Sequence, residues 1–211
     1  MEESLLIARA QRGDQSGFAQ LVEMYQTPVY NLAYRMLSNV NDAEDAAQET
    51  FLRAFAQLKT FRVDQKFATW LLSICAHHCI DRLRRRKFFW LSLEDKVLEE
   101  ALASDAPEPD DVALRAENAH EIAQSLERLA PAYRLVVVLK YWHDQSVEEI
   151  ARTTGDSVSA VKVKLHRARK MLAREMTTQS KAEGGRMKDE KATLSFIPHP
   201  SSFEREVTHA R

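Results

Sequence analysis

Residues 106–111, Ala-Pro-Glu-Pro-Asp-Asp, constrain the fold most, because no regular element passes through them. Pro107 and Pro109 each remove a backbone donor and clash with a helical turn, and Glu108, Asp110 and Asp111 are too costly to bury unpaired. On both sides of this break, apolar residues recur at three- and four-residue intervals, the period of an amphipathic helix. With only 5 glycines and 6 prolines in 211 residues, a turn-rich β fold is disfavoured. The expected class is therefore all-α: two small helical domains joined by an acidic flexible linker. The expected boundaries are 1–90, 91–118 and 119–176, with a tail at 177–211 that has no sustained period. A short helix near 94–102 is expected inside the linker.

The first domain reads as consecutive helices. In SLLIARAQRGDQSGFAQLVEMYQTPVYNLAYRML, the stripe is Phe18, Leu21, Val22, Tyr25, Val29, Leu32 and Met36, with breaks or kinks expected at Gly13-Asp14 and Thr27-Pro28. A helix follows with Asn41 or Asp42 as N-cap and acids in its first turn, where the helix dipole favours them. Its apolar line is Ala43, Ala47, Phe51, Ala54, Phe55 and Leu58. Its opposite line carries Asp45, Gln48, Glu49, Arg53 and Gln57. After the polar stretch RVDQK comes a helix over 67–87.

The second domain is expected to hold four helices: AHEIAQSLERL, PAYRLVVVLKYWHD, SVEEIARTTG and SVSAVKVKLHRARKMLAREM. Pro131 suits a first helical turn, Ser146 with Glu149 forms a capping box, and Gly155 suits the turn after a helix. The last two helices with their short Gly155-Asp156 turn have the layout of a helix-turn-helix. On a wheel centred at Val161, Leu165, Ala168 and Leu172 fall within about 40° and form the buried stripe. Ser159, Val163, His166, Arg167 and Lys170 lie opposite, flanked by Lys162 and Lys164. Small groups near base edges and cations in reach of phosphate are what a recognition helix needs.

Charge supports two nucleic-acid surfaces. The whole chain has net charge −1, yet residues 61–90 carry +5 and residues 146–176 carry +3, separated by −8 over residues 91–121. The N-terminus lacks a secretory pattern, no stretch approaches the ~18 apolar residues a bilayer span requires, and 2 cysteines suit a reducing compartment, so a cytoplasmic location is expected.

Four segments, NDAEDAAQETFLRAF, FATWLLSICAHHCIDRLRRRK, SLED with its acidic linker, and LAPAYRLVVVLKYWHDQSVEEIARTTGDSVSAVKVKLHRARKML, occur in this order. Together they resemble the extracytoplasmic-function (ECF) group of bacterial RNA polymerase sigma factors over about residues 5–176. The resemblance implies a promoter-specificity subunit without enzymatic activity or cofactor. Its partners would be core polymerase (β′ clamp and β), promoter DNA and an anti-sigma factor, with no small-molecule substrate. Asp45, Gln48, Glu49 and Arg53 would dock on the β′ clamp. Phe61, Phe67, Trp70, His77, Arg84, Arg85 and Arg86 would melt and read the −10 element as a single strand, aromatics stacking bases and arginines holding phosphates. Ser159, Lys162, Val163, Lys164, His166, Arg167 and Lys170 would read the −35 element as duplex. The chain departs from the family pattern at His77 (usually Asn), Cys75 (usually Ala), Ala130 (usually Pro), and Ser159, Val163 and Lys164 in the recognition helix.

Two other classes compete with this one. A free-standing helix-turn-helix regulator would have no need of the acid-polar face at 42–57. A nucleic-acid enzyme or metalloprotein would rest on Cys75, His77, His78 and Cys79, but no phosphate-binding loop, HExxH or paired-carboxylate motif accompanies them. Cys75, His78 and Cys79 at i, i+3 and i+4 could hold zinc with a fourth ligand, yet Leu71, Leu72, Cys75, Cys79 and Leu83 form one apolar stripe. A disulfide is disfavoured because parallel Cβ vectors one turn apart do not reach S–S geometry. The cysteines are read as packing, with no metal site, and His77 as facing DNA.

Overall fold

The computed structural model describes residues 2–94 and 123–182, with side chains for 3–86 and 123–174. Every regular element among these residues is helical. The order is α1 (Glu2–Gln11), α2 (Gln15–Leu37), α3 (Val40–Gln57), a 3-10 turn (Leu58–Thr60) and α4 (Phe67–Glu94), then α5 (Pro131–Tyr141), α6 (Val147–Thr154) and α7 (Val158–Ala182), with a helical turn at 123–127 ahead of α5.

Helix starts and stops follow the local chemistry. Gly13 turns with φ 94°, and the Asp14 carboxylate then caps α2 through the N–H groups of Ser16 (2.9 Å) and Gly17 (3.3 Å). The Ser16 hydroxyl (2.7 Å) and Arg9 of α1 (2.7 Å) donate to the same carboxylate, and these two side chains, with the backbone N–H groups, bring its pKa down to about 2. The α2 helix runs unbroken through Pro28, where a break or kink was expected. One missing N–H costs about 3 kcal/mol in a helix interior, but Val29, Leu32, Ala33 and Met36 just beyond it are fully buried, and their burial outweighs that loss. The cap of α3 is Asn39, not Asn41 or Asp42: Ser38 takes the left-handed conformation, and the Asn39 side chain accepts from the Asp42 N–H at 2.9 Å. Asp42 sits in the first turn, where its charge suits the dipole.

Two further boundaries move. The α4 helix continues to Glu94, past both the expected end at 87 and the expected linker start at 91. The α7 helix runs to Ala182, six residues into the expected tail. The expected helix near 94–102, the acidic centre of the linker and the tail beyond 182 lie outside the described residues.

In the first bundle, α2 is the central helix and packs on α1, α3 and α4. Leu21, Leu32, Met36, Leu58 and Leu71 are its largest fully buried side chains. On α3 the buried line is Ala43, Ala46, Thr50 and Ala54, continued by Leu58 of the 3-10 turn and displaced in part from the expected one, and Phe55 is 50% exposed. Small residues face inward because α2 and α3 pack closely, and the buried Thr50 hydroxyl donates to the Ala46 carbonyl at 2.7 Å. The second bundle is built on α5, whose run Leu135–Leu139 is buried, with α6 and α7 folded against it. The two bundles touch: α5 lies against the end of α2, and α6 lies along α4.

Candidate nucleic-acid and polymerase interfaces

The helix-turn-helix forms from the residues that signalled it. Ser146 accepts from the Glu149 N–H at 3.1 Å while the Glu149 carboxylate accepts from the Ser146 N–H at 2.8 Å, closing the capping box at the start of α6. Gly155 turns the chain with φ 74°, and the Ser157 hydroxyl accepts from the Ala160 N–H at 3.2 Å as α7 begins. Val161, Leu165 and Ala168 are buried against the domain. Ser159, Lys162, Val163, His166, Arg167 and Lys170 are exposed on the far side. Lys164 departs from expectation: it is half-buried and paired with Asp156 at 2.6 Å, so its charge is spent within the turn. Arg169, absent from the expected set, is exposed on the same helix.

The α4 helix divides its faces more sharply than the sequence suggested. Leu71, Leu72, Cys75, Ala76 and Cys79 are 0–4% exposed and face α2 and α3. Both thiols are unpaired and buried, and the Cys75 thiol points to the Val29 carbonyl at 3.7 Å. The hydrogen bond with Cys75, and then burial, raise the Cys79 pKa, which keeps it a neutral thiol. Among the described residues, no group of three His, Cys, Asp or Glu side chains is placed to hold a metal.

Phe61 and Phe67, expected to stack bases, are 5% and 3% exposed. They close an aromatic cluster with Tyr25 and Trp70, ring centroids 5.0–5.5 Å apart, because the turn after α3 folds Phe61 inward over the start of α4. Neither offers a ring face to a base in this conformation; of the three expected aromatics, Trp70 alone is half-exposed. The three arginines point in different directions, as 100° steps require. Arg86 bonds Asp42 of α3 at 3.2 Å, Arg84 pairs with Asp81 at 3.1 Å, and Arg85 is exposed. Arg82, which the sequence reading passed over, is clamped to Asp42 and reaches Asp45 at 3.4 Å. His77 is exposed and lines a cleft with Leu135 and Thr154 of the second bundle, and its Nδ1 donates to the Ser73 carbonyl at 2.6 Å.

Asp45, Gln48 and Glu49 line a depression of about 370 Å³ between α3 and α4, together with Leu52, His78 and Arg82. Arg53 braces Glu49 at 2.6 Å. Leu52, 60% exposed, and Phe55 put apolar surface beside these polar groups. Sequence reasoning missed Leu52 and assigned Phe55 to the core.

These surfaces belong to regions already known in other proteins. Residues 21–89 match Sigma-70 region 2, and residues 119–172 match Sigma-70, region 4. The chain is 36% identical over 176 residues to the ECF RNA polymerase sigma factor SigW of Bacillus subtilis (strain 168), covering 81% of this chain and 94% of that one. The chain belongs to the ECF sigma factors. It is also 30% identical to the RNA polymerase sigma-H factor of Pseudomonas aeruginosa, over 81% of this chain and 92% of the relative. Among solved structures it resembles CnrH in complex with the cytosolic domain of CnrY, with TM-score 0.64, 27% identity and coverage of 84% and 99% of the two chains. As an ECF sigma factor, it is an initiation factor that directs promoter-specific transcription. No described helix is long and apolar enough to cross a membrane.

Two histidines predict an acid-sensitive fold for this sigma factor. The Nε2 atoms of His78 and His143 are shielded without a hydrogen-bond partner. Desolvation, with Arg35 adding for His143, lowers both pKa values, that of His143 to about 4. Both are neutral when folded, so below 6.5 the unfolded chain binds more protons and stability falls with pH, for His143 until about 4. The melting temperature should decline from pH 6.5 to 4, and His143→Gln should flatten that decline. Equal slopes in the two proteins would contradict the assignment.

Proposed function

We propose that this ECF sigma factor divides its work by helix, with the first bundle, through the end of α4 at Glu94, serving polymerase and the −10 element, and the second bundle, through α7, reading the −35 element. The exposed α3 face of Asp45, Gln48, Glu49 and Arg53, widened by Leu52 and Phe55, docks on the β′ clamp of core polymerase. The outer face of α4, with Trp70, His77, Arg84 and Arg85, meets the melted strand. The outer face of α7, with Ser159, Lys162, Val163, His166, Arg167 and Lys170, reads duplex. The carrying observation is that one chain presents two helices with exposed cations and, beside the first, an exposed face of mixed acidic and apolar character. Such a face repels DNA and suits a protein. The protein acts in the cytoplasm as a dissociable subunit without catalytic activity of its own. The CnrH–CnrY likeness supports an anti-sigma factor as a further partner.

Run-off transcription with core polymerase tests this reading, with specific transcripts expected. A chain that shifts duplex DNA alone but never supports initiation would be a free-standing regulator instead. Arg84→Ala and Arg167→Ala should each cost about 1–3 kcal/mol of promoter binding, roughly 5- to 150-fold, while core polymerase affinity stays constant. Arg167→Ala should also lower the salt dependence of duplex binding by about one ion.

A further inference from the structure

The outer face of α7 changes character along its length. Ser159, Val163, Arg167 and Lys170 follow one another at three- or four-residue steps and are all exposed, with Lys162 and His166 beside them. The N-terminal half of this face is small and neutral, and its C-terminal half is cationic. The Ser159 hydroxyl lies 3.0 Å from that of Ser157, and Lys164 is drawn back to Asp156 at 2.6 Å. In the middle stands Val163, left 48% exposed although Val161 and Leu165 in the same helix are buried. None of the residues one turn away, Ser159, Ala160, His166 and Arg167, is a large apolar side chain that could cover it. As a β-branched residue in a helix, valine has one strongly preferred rotamer, so its isopropyl group is held in place at little entropic cost.

A partner for this group has to be apolar itself and to lie amid negative charge, because Lys162, Arg167 and Lys170 flank it. The major groove of duplex DNA meets both conditions at one base alone. Thymine carries a C5-methyl group there, with phosphates on both sides, and the other three bases present only donors and acceptors. The helix rises about 1.5 Å per residue, so Val163 stands roughly 6 Å from Ser159 and from Arg167, less than two base-pair steps of about 3.4 Å. Neighbouring pairs and their phosphates are then left to those polar residues. We propose that Val163 is a specificity-determining residue that selects a thymine in the −35 element through its C5-methyl group. The inference rests on α7 being the −35 reading helix and names the base chemistry that one position on it takes. A hydroxyl in place of the isopropyl group would donate to or accept from several base edges, so selection at that position would relax.

The test uses the full chain reconstituted with core polymerase and a randomised duplex from which bound sequences are selected. Wild-type holoenzyme should enrich thymine at one −35 position. Replacing that thymine with deoxyuridine removes the methyl group and keeps every hydrogen-bonding group, and should weaken binding about fourfold, the contribution of one buried methyl-sized group. Val163→Ser should bind the thymine and uracil duplexes equally and lose the enrichment at that position. Its melting temperature and the salt dependence of its DNA binding should match wild type, since neither core packing nor a phosphate contact is removed. A uracil penalty that persists in Val163→Ser would overturn the assignment, as would a selected site in which no thymine on either strand is sensitive to its methyl group. Unchanged selection by Val163→Ser would also overturn it and leave the exposed valine to a protein partner. A wild-type holoenzyme that selects no −35 sequence at all would overturn the reading of α7 itself, and the inference with it.

Discussion

Leu52→Asp is expected to abolish measurable core polymerase binding while leaving the melting temperature and duplex binding unchanged. Leu52 is 60% exposed at the edge of the α3–α4 depression and contributes little to the core. Beside it, Asp45 is held toward Arg82 and Glu49 is braced by Arg53. An apolar side chain ringed by oriented polar groups is the form in which a few residues carry most of an interface's energy, typically at least about 2 kcal/mol each. A carboxylate there loses that contact and adds a desolvated charge next to two acids, so the loss should reach about 3–5 kcal/mol, roughly 100- to 5000-fold in affinity. Phe55→Ser should act in the same direction but less, because the Phe55 ring also packs edge-on against Phe18 at 5.0 Å. Fluorescence anisotropy with labelled protein and core polymerase measures both. Wild-type affinity in Leu52→Asp would place the docking face elsewhere.

That prediction also marks where sequence reading stopped. Periodicity found the helices, and Pro131, Ser146 with Glu149, and Gly155 marked starts and stops, because those signals act within four residues of themselves; the caps at Asp14 and Asn39 were missed. It assigned Phe55 to the core because a wheel does not know that Ala46 and Thr50 fit the close approach of α2 while a phenyl ring does not. It offered Phe61 and Phe67 to DNA because aromatics beside arginines read the same whether exposed or buried; the inward fold of the turn after α3 decided that. The fastening of Arg134 to Met36 was invisible, since its partner is a backbone carbonyl 98 residues away and no residue type marks it. Lys164 and Arg86 likewise counted as free cations until Asp156 and Asp42 were seen beside them.

Cys79→Asp is expected to unfold the first bundle, whereas Cys79→Ala leaves it folded. Cys79 is fully buried on the spine that α4 sets against α2 and α3. Removing its sulfur deletes about one methylene equivalent and leaves a small cavity, a cost of roughly 1–1.5 kcal/mol. Aspartate has no cation placed to receive it on that face, because Arg82 is already clamped to Asp42 and Asp45. The carboxyl must then be buried neutral and unsatisfied or force the helices apart, several kcal/mol against a total of about 5–15 for a typical domain. Circular dichroism melts should show a transition lowered by about 4–8 °C for Cys79→Ala and no cooperative transition from the first bundle for Cys79→Asp. A cysteine serving as a metal ligand or redox partner would respond otherwise: Cys79→Ala would be the damaging change, and chelator or reductant would reproduce it in the wild type. With the thiol in a packing role, neither reagent shifts the wild-type melt. The alanine variant should support transcription as well as the wild type does.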